Sequence, residues 1–334
     1  MSVTEQEAAH MAEQLRRAVP GGSFILDEPD EVPALWGNGQ HVLWAEGEAF
    51  MVAGHQGLGK TTLAQQLVLA MVGVAPPELL GMPVTPRAGR ILYLAMDRPR
   101  QAARSFRRMV REESRDLLND RLHVWRGPLP VDPLVKGDLL AWVHSVCADV
   151  SVVVIDSVKD LAPGVNTDEV GSAINLACQS LIADDIDVLL LHHQRKASSD
   201  SRREVTLDSI YGSTWLTSGL GSVAVLEGEP GSDEVTMHHV KQPADTVGPV
   251  DFVHDHVPGR SRLHTAPVRL SVEAALGMAE TSGLTVDEIV NMTGLSSKTV
   301  RSRLRAMAER VQEVAGGHNT SGGRIAKRYR PNGS

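Results

Sequence analysis

The segment Gly54-His55-Gln56-Gly57-Leu58-Gly59-Lys60-Thr61 meets the pattern G-x-x-x-x-G-K-[ST] at every required position. Glycines at 54, 57 and 59 let the backbone curl until consecutive N–H groups face one anion, and a helix beginning at the end of the loop adds its positive N-terminus. Lys60 then carries a mobile charge to the β- and γ-phosphates of a nucleoside triphosphate, and the Thr61 hydroxyl, followed by Thr62, is placed to coordinate Mg²⁺. The flanks agree, with the apolar strand AFMVA before the loop and the helical pattern TTLAQQLVLAMV after it. A chance Gly-rich turn is the alternative; ATP with Mg²⁺ is the expected ligand.

Such a loop needs a carboxylate at the tip of a nearby strand to hold the cation through water. Val152-Val153-Val154-Ile155-Asp156 offers one, a buried strand with Asp at its mouth; a turn-capping Asp is the plainer reading. Hydrolysis also needs a base to polarise water, and Ser157 rather than Glu follows Asp156. The candidate is therefore Asp97, at the end of Ile91-Leu92-Tyr93-Leu94-Ala95-Met96-Asp97. Against this, Asp97 also suits a cap for a helix opened by Arg98-Pro99. A third strand, Val188–Leu191, ends in His192-His193-Gln194, polar groups that either reach a γ-phosphate or form an ordinary rim. Neighbouring histidines on a strand face opposite ways, which argues against a shared metal. His238-His239 and the His254/His256 pair read as edge or surface residues without a third ligand.

These groups must be carried by alternating strands and helices. Apolar or helical patterns mark strands at 49–53, 90–96, 121–125, 151–156, 187–192, 222–226, 235–239 and 251–254, with helices at 61–72, 100–112, 138–147 and 170–183. Alternation of this kind specifies an α/β fold with a mostly parallel sheet covered on both faces. Ahead of it, residues 1–20 form an amphipathic pattern stopped at Pro20-Gly21-Gly22, and Phe24–Gln40 reads as a Pro-, Gly- and acid-rich wrapping segment. The expected organisation is an N-terminal helix and wrap over 1–48, a catalytic domain over 49–258, a linker over 259–267 and a small domain over 268–334.

No run of eighteen apolar residues occurs, so no helix is expected to span a bilayer. The N-terminus lacks the basic start and apolar core of a signal peptide. Cys147 and Cys178 have no metal-binding spacing, and a reduced, cytoplasmic protein follows as the expectation. The net charge of −8 is uneven: residues 268–334 carry ten Lys/Arg against six Asp/Glu, so an acidic body ends in a basic tail. That asymmetry suits a chain meeting nucleic acid at one end, and also an ordinary solvated surface.

Taken in succession, GHQGLGKTT, ILYLAMD, VVVIDSVKDL, LLLHHQRK, GSTWLTSGLGSVAVLEG and HVKQPADTVGPVDF resemble the RecA-like ATPases, most closely the RepA/DnaB branch of hexameric replicative helicases, over about residues 30–256. The resemblance implies a RecA-like core, a homo-oligomeric ring, a hexamer in this family, with ATP between subunits, and movement along single-stranded DNA. It places Lys60 and Thr61 in the P-loop, Asp156 at the metal, and His192, His193 and Gln194 in the γ-phosphate sensor. Gly212-Ser213 begins the stretch after the DNA loop. The family usually has Glu in the ILYLAMD segment, where this chain has Met96 and Asp97. Its trans-acting Lys-Gln-Arg finger reads Lys241-Gln242-Pro243 here, leaving Lys241 to act alone.

Two basic regions point to DNA. Arg195–Asp208, beginning Arg195-Lys196, is a polar run that either lines the ring's channel or is a solvated, mobile loop. Residues 285–310 read as helix, turn, helix, with Ser296 as N-cap, Val300, Leu304 and Met307 as a buried stripe, and Lys298, Arg301, Arg303 and Arg305 as basic groups. A segment with Arg324, Lys327 and Arg328 then resembles a β-wing. A winged-helix-like DNA-binding module is expected, a three-helix protein-contact domain being the alternative. The functional expectation is an ATP-hydrolysing, RepA-like DNA helicase of a plasmid, phage or integrated element. The rivals are an ATP-regulated DNA-binding regulator and a RecA-like recombination or loading factor.

Overall fold

Every residue of AFMVAG at 49–54 is buried, and alternate side chains leave on opposite faces: Phe50 and Val52 enter one core, Ala49, Met51 and Ala53 the other. Val152–Ile155 and Val188–Leu191 divide between the same two cores, so continuous apolar strands are what a sheet covered on both faces requires. The computed structural model describes residues 18–195, 205–229, 231–255, 257–264, 272–277, 283–293, 297–307, 310–318 and 324–331.

In chain order the larger unit runs α1 (Gly21–Leu26), β1 (Ala34–Asn38), β2 (His41–Ala45), β3 (Ala49–Gly54), α2 (Lys60–Met71), β4 (Glu78–Leu79) and β5 (Met82–Pro83). It continues β6 (Arg90–Ala95), α3 (Pro99–Met109), α4 (Arg115–Arg121), β7 (Leu122–Arg126), α5 (Asp138–Val146), β8 (Val150–Asp156), α6 (Val158–Leu161), α7 (Asp168–Ile182) and β9 (Asp187–His193). It closes with α8 (Trp215–Ser218), β10 (Ser222–Glu227), β11 (Glu234–Lys241), β12 (Val250–Asp255) and β13 (Arg260–Leu263). The nine-stranded sheet has the order β13-β12-β11-β10-β3-β9-β8-β6-β7. From β10 to β7 neighbouring strands are parallel, whereas β11, β12 and β13 extend the sheet antiparallel. Helix α2 is buried from Leu63 to Met71 because the core closes around it.

Three local expectations are corrected. Gly21-Gly22, read as part of a helix stop, instead open α1, and Pro20 is its N-cap after the non-helical residues 18–20. The helix expected over residues 1–20 otherwise lies outside the described residues. Phe24–Gln40 does not only wrap the surface, since Leu35 and Trp36 of β1 pair with β2 and are fully buried. Trp36 and Trp44 pack against Phe50, with ring centroids 6.0 and 5.9 Å away. The expected linker over 259–267 contains β13, a strand too short and polar to stand out, held because Ser261 pairs with His254 and bonds to α2.

The Trp36 Nε1–H donates to the Leu79 carbonyl at 3.1 Å in this buried setting. Trp36→Phe removes that bond and leaves a small void beside it. The expected loss is about 1–2 kcal/mol, read as a lower denaturant midpoint with unchanged slope.

The second compact unit covers Thr265–Ser334. Its described elements are α9 (Val272–Gly277), β14 (Leu284–Thr285), α10 (Val286–Thr293), α11 (Ser297–Ala306), β15 (Val311–His318) and β16 (Arg324–Pro331), the strands ordered β14-β16-β15. Val272, Leu276, Ile289, Val300 and Leu304 form its core, with Met307 partly buried. Helix α10 opens on a reciprocal cap: Thr285 N–H donates to Glu288 Oε2, and Glu288 N–H donates to Thr285 Oγ1. The N-cap expected at Ser296 lies outside the described residues. Among the described residues, no helix is long and apolar enough to cross a membrane.

Candidate nucleotide site

The loop between β3 and α2 leaves the sheet beside β9, where Gly54 pairs with His193. Gly59 is the N-cap of α2 in the left-handed region, with φ 75°. A Cβ there would stand 1.9 Å from Nε2 of His254, so conformation and space both demand glycine. His55, Gln56 and Gly57 lie toward solvent, while Leu58 is fully buried. The Lys60 ammonium folds back on the loop, donating to the Gly54 and His55 carbonyls at 2.8 Å each. Burial lowers its pKa to about 8, against the opposing pull of Asp156.

At the start of α2, the Thr61 hydroxyl donates to Asp156 Oδ2 at 3.1 Å, although one strand separates β3 from β8. Tyr93 on β6 donates its hydroxyl to the same oxygen at 2.7 Å. Burial raises the Asp156 pKa, and Tyr93, Thr61 and Lys60 act in the opposite direction. One carboxylate and one hydroxyl at the mouth of a phosphate cradle fit Mg²⁺, which keeps several waters and takes phosphate oxygens as ligands. The donor set therefore suits a cation that arrives with a triphosphate.

The tips of β6, β8 and β9 bring further charges together. Asp97 is half exposed, its Oδ2 3.4 Å from Arg98 Nε and 3.6 Å from Lys159 Nζ. Helix α3 starts at Pro99 after Arg98, and no side chain caps it, so Asp97 does not serve as the cap. Lys159 also pairs with Asp160 at 2.9 Å. Burial lowers the His193 pKa, as do Lys60 and Lys159, while Asp160 and Asp97 raise it. His193 thus shares one electrostatic neighbourhood with the loop lysine and Asp97. His192 is turned away and buried; its Nε2 bonds the Tyr211 carbonyl at 2.6 Å, and burial pushes its pKa down to about 4.

The remaining expected residues are placed as follows. Gln194 donates its backbone N–H to Gly54 O at 3.3 Å, and Thr62 O accepts from Gln66 at 3.2 Å. Arg195 is tied to the carbonyls of Ile210 and Gly212, both at 2.9 Å. Lys196 lies outside the described residues, as does the run to 204. Lys241 donates to Thr217 O at 3.0 Å and Ser218 O at 2.8 Å within its own chain. In the second unit Lys298, Arg301, Arg303 and Arg305 of α11 are exposed. Arg324 opens β16, Lys327 pairs with Glu313 and Arg328 with Glu288, both at 3.1 Å.

Motif spacing did not reveal Tyr93 or Lys159. Tyr93 sits two residues before Ala95, the register partner of Asp156, so strand pairing brings its hydroxyl to that carboxylate. The edge or surface reading of His239 and His254 is corrected. Both are buried, because β11 and β12 lie inside the sheet rather than at its rim. The Ser222 hydroxyl meets His239 Nε2 at 2.8 Å, and burial lowers that ring's pKa to about 4. His238 remains at the surface beside Glu227, and His256 lies outside the described residues.

A family model described as an AAA domain matches residues 12–199. No curated protein matches the chain. Among solved structures, one described as an ATPase domain is similar, with TM-score 0.50 at 12% identity, over 79% of this chain and 99% of that one. At that identity the likeness speaks for the fold, a RecA-like α/β core with a P-loop between β3 and α2.

Proposed function

The chain belongs to the AAA domain family, and on that premise we propose that it hydrolyses ATP with Mg²⁺ and uses the cycle to act on DNA as a RepA-like helicase. The observation that carries the reading is Thr61 at 3.1 Å from Asp156, beside a buried Lys60 that donates to the loop's own Gly54 and His55 carbonyls. A triphosphate in the cradle offers Lys60 better acceptors than those carbonyls, and the ammonium moves to the β- and γ-phosphates. Thr61 and Asp156 would hold the cation, which would supply positive charge to stabilise the phosphates. Asp97 accepts the proton of the attacking water, and its contacts to Arg98 and Lys159 hold its carboxylate at the strand tip. His193, beside Gly54, and Gln194 sense the γ-phosphate and pass its presence to the Arg195–Asp208 segment, which meets the DNA backbone.

In this reading subunits form a hexameric ring, and Lys241 leaves its carbonyl partners to enter a neighbour's site as the finger. The second unit acts as a winged helix, α11 presenting Lys298, Arg301, Arg303 and Arg305 to a groove with β16 as the wing. The exposure of those arginines also favours a second reading, in which ATP switches assembly of a DNA-binding regulator.

ATP turnover measured with and without single-stranded DNA separates the two. A helicase shows DNA-stimulated turnover and strand separation, a regulator sequence-selective duplex binding with little turnover. Asp97→Asn is expected to keep ATP affinity and to lower kcat at least about tenfold. Full turnover in that variant removes Asp97 from the mechanism, and wild-type protein that binds ATP without hydrolysing it removes the motor.

A further inference from the structure

Leu58 sits at the crown of the P-loop, and its carbonyl points inward to Nε2 of His254 at 3.0 Å. His254 lies on β12 opposite Ser261 of β13, and its Nδ1 meets the Ser261 hydroxyl at 2.8 Å. Ser261 is in turn clasped by Gln66 of α2: Gln66 Nε2 donates to Ser261 Oγ, and Ser261 N–H donates to Gln66 Oε1, each at 2.8 Å. His254 and Ser261 are buried, and Gln66 is nearly so.

The protons in this chain have one consistent arrangement for a neutral ring. The Leu58 carbonyl can only accept, so Nε2 carries the hydrogen and Nδ1 is the acceptor. The Ser261 hydroxyl therefore donates to Nδ1 and accepts from Gln66, whose amide orientation is set by the Ser261 N–H. Each link determines the next, from α2 through β13 and β12 back to the loop that begins α2. A peptide group is planar and trans, so its C=O and N–H point in opposite directions. Holding the Leu58 carbonyl toward His254 thus turns the Gly59 N–H away from His254. Gly59, with no Cβ to meet the ring, permits that close approach.

We propose that His254, held by Ser261 and Gln66, is a positioning residue that orients the Leu58–Gly59 peptide so that the loop is shaped for phosphate before ATP arrives. The proposal rests on the reading of this loop as an ATP site. It gives the antiparallel side of the sheet a part in nucleotide affinity, though it contributes no residue to the P-loop motif.

The test compares His254→Leu, which keeps bulk and removes both nitrogens, with His254→Gln, whose amide can still donate to Leu58. ATP affinity is titrated in the full-length protein, alongside the unfolding midpoint without nucleotide. His254→Leu is expected to bind ATP about five- to twentyfold more weakly, and His254→Gln within about threefold of wild type. Ser261→Ala, a milder change for the case that His254→Leu does not fold, is expected to weaken ATP about threefold. A merely structural residue would lower the midpoint and leave the affinity of the folded protein intact. Wild-type affinity in folded His254→Leu, loss of binding in His254→Gln equal to that in His254→Leu, or wild-type affinity in Ser261→Ala each overturns the proposal. If the wild-type protein itself binds no ATP, the reading of the loop fails instead, and Lys60→Ala, which should lose binding whatever His254 does, tells the two failures apart.

Discussion

Lys60→Ala is expected to lose ATP binding and to lower kcat/KM by at least about 10³-fold, the largest effect of any single substitution in the chain. The ammonium is buried and already poised between two carbonyls 2.8 Å away, so a bound triphosphate gains a preformed cation. Its pKa near 8 also predicts how affinity changes with pH. Phosphates select the charged form, so ATP affinity is level below about pH 8 and falls above it as the free protein's ammonium deprotonates. Lys60→Arg keeps its charge and should show no such break. The stability of the free protein follows the opposite trend. Between about 8 and 10.5 the unfolded chain retains a proton that the folded chain has released, so this residue adds stability as pH rises through that window. Lys60→Ala removes that slope. Isothermal titration and urea unfolding across pH 7–10 check both statements.

Asp156→Asn is expected to lower kcat by about 10²–10³-fold and to change ATP affinity by no more than about threefold. The amide is nearly isosteric, and its oxygen can still accept from Tyr93, which now donates to the carboxylate at 2.7 Å. What disappears is the negative charge that would face the cation. Burial raises the Asp156 pKa, so keeping the carboxylate ionised costs the free protein stability, and the variant should melt no lower than wild type. A Mg²⁺ titration of turnover should show a higher requirement in the variant. Unchanged turnover would show that Asp156 does not serve the metal.

How well each part could be read from the chain follows from the range of the interactions involved. Strands 49–54, 150–156 and 187–193 are continuous apolar runs because both of their faces are buried, and such runs are legible locally. The β1–β2 hairpin is not: its Pro-, Gly- and acid-rich surroundings resemble loop, and only packing against Phe50 turns Trp36 and Trp44 into core. β13 escapes notice for a related reason, since its four residues become a strand through Gln66, 195 positions away.

The residues from Gly54 to Thr61 declare their own chemistry, because a phosphate cradle is built from contiguous backbone and needs only glycines, a lysine and a hydroxyl in fixed order. Asp156 is nearly as plain, standing where an apolar strand ends. Folding alone decided that Tyr93 would reach that carboxylate, that Lys159 would stand beside Asp97, and that a histidine almost 200 residues downstream would hold the crown of the loop. Those contacts join strands whose order in the sheet differs from their order in the chain, and no local pattern of residue types records which neighbours the sheet will provide.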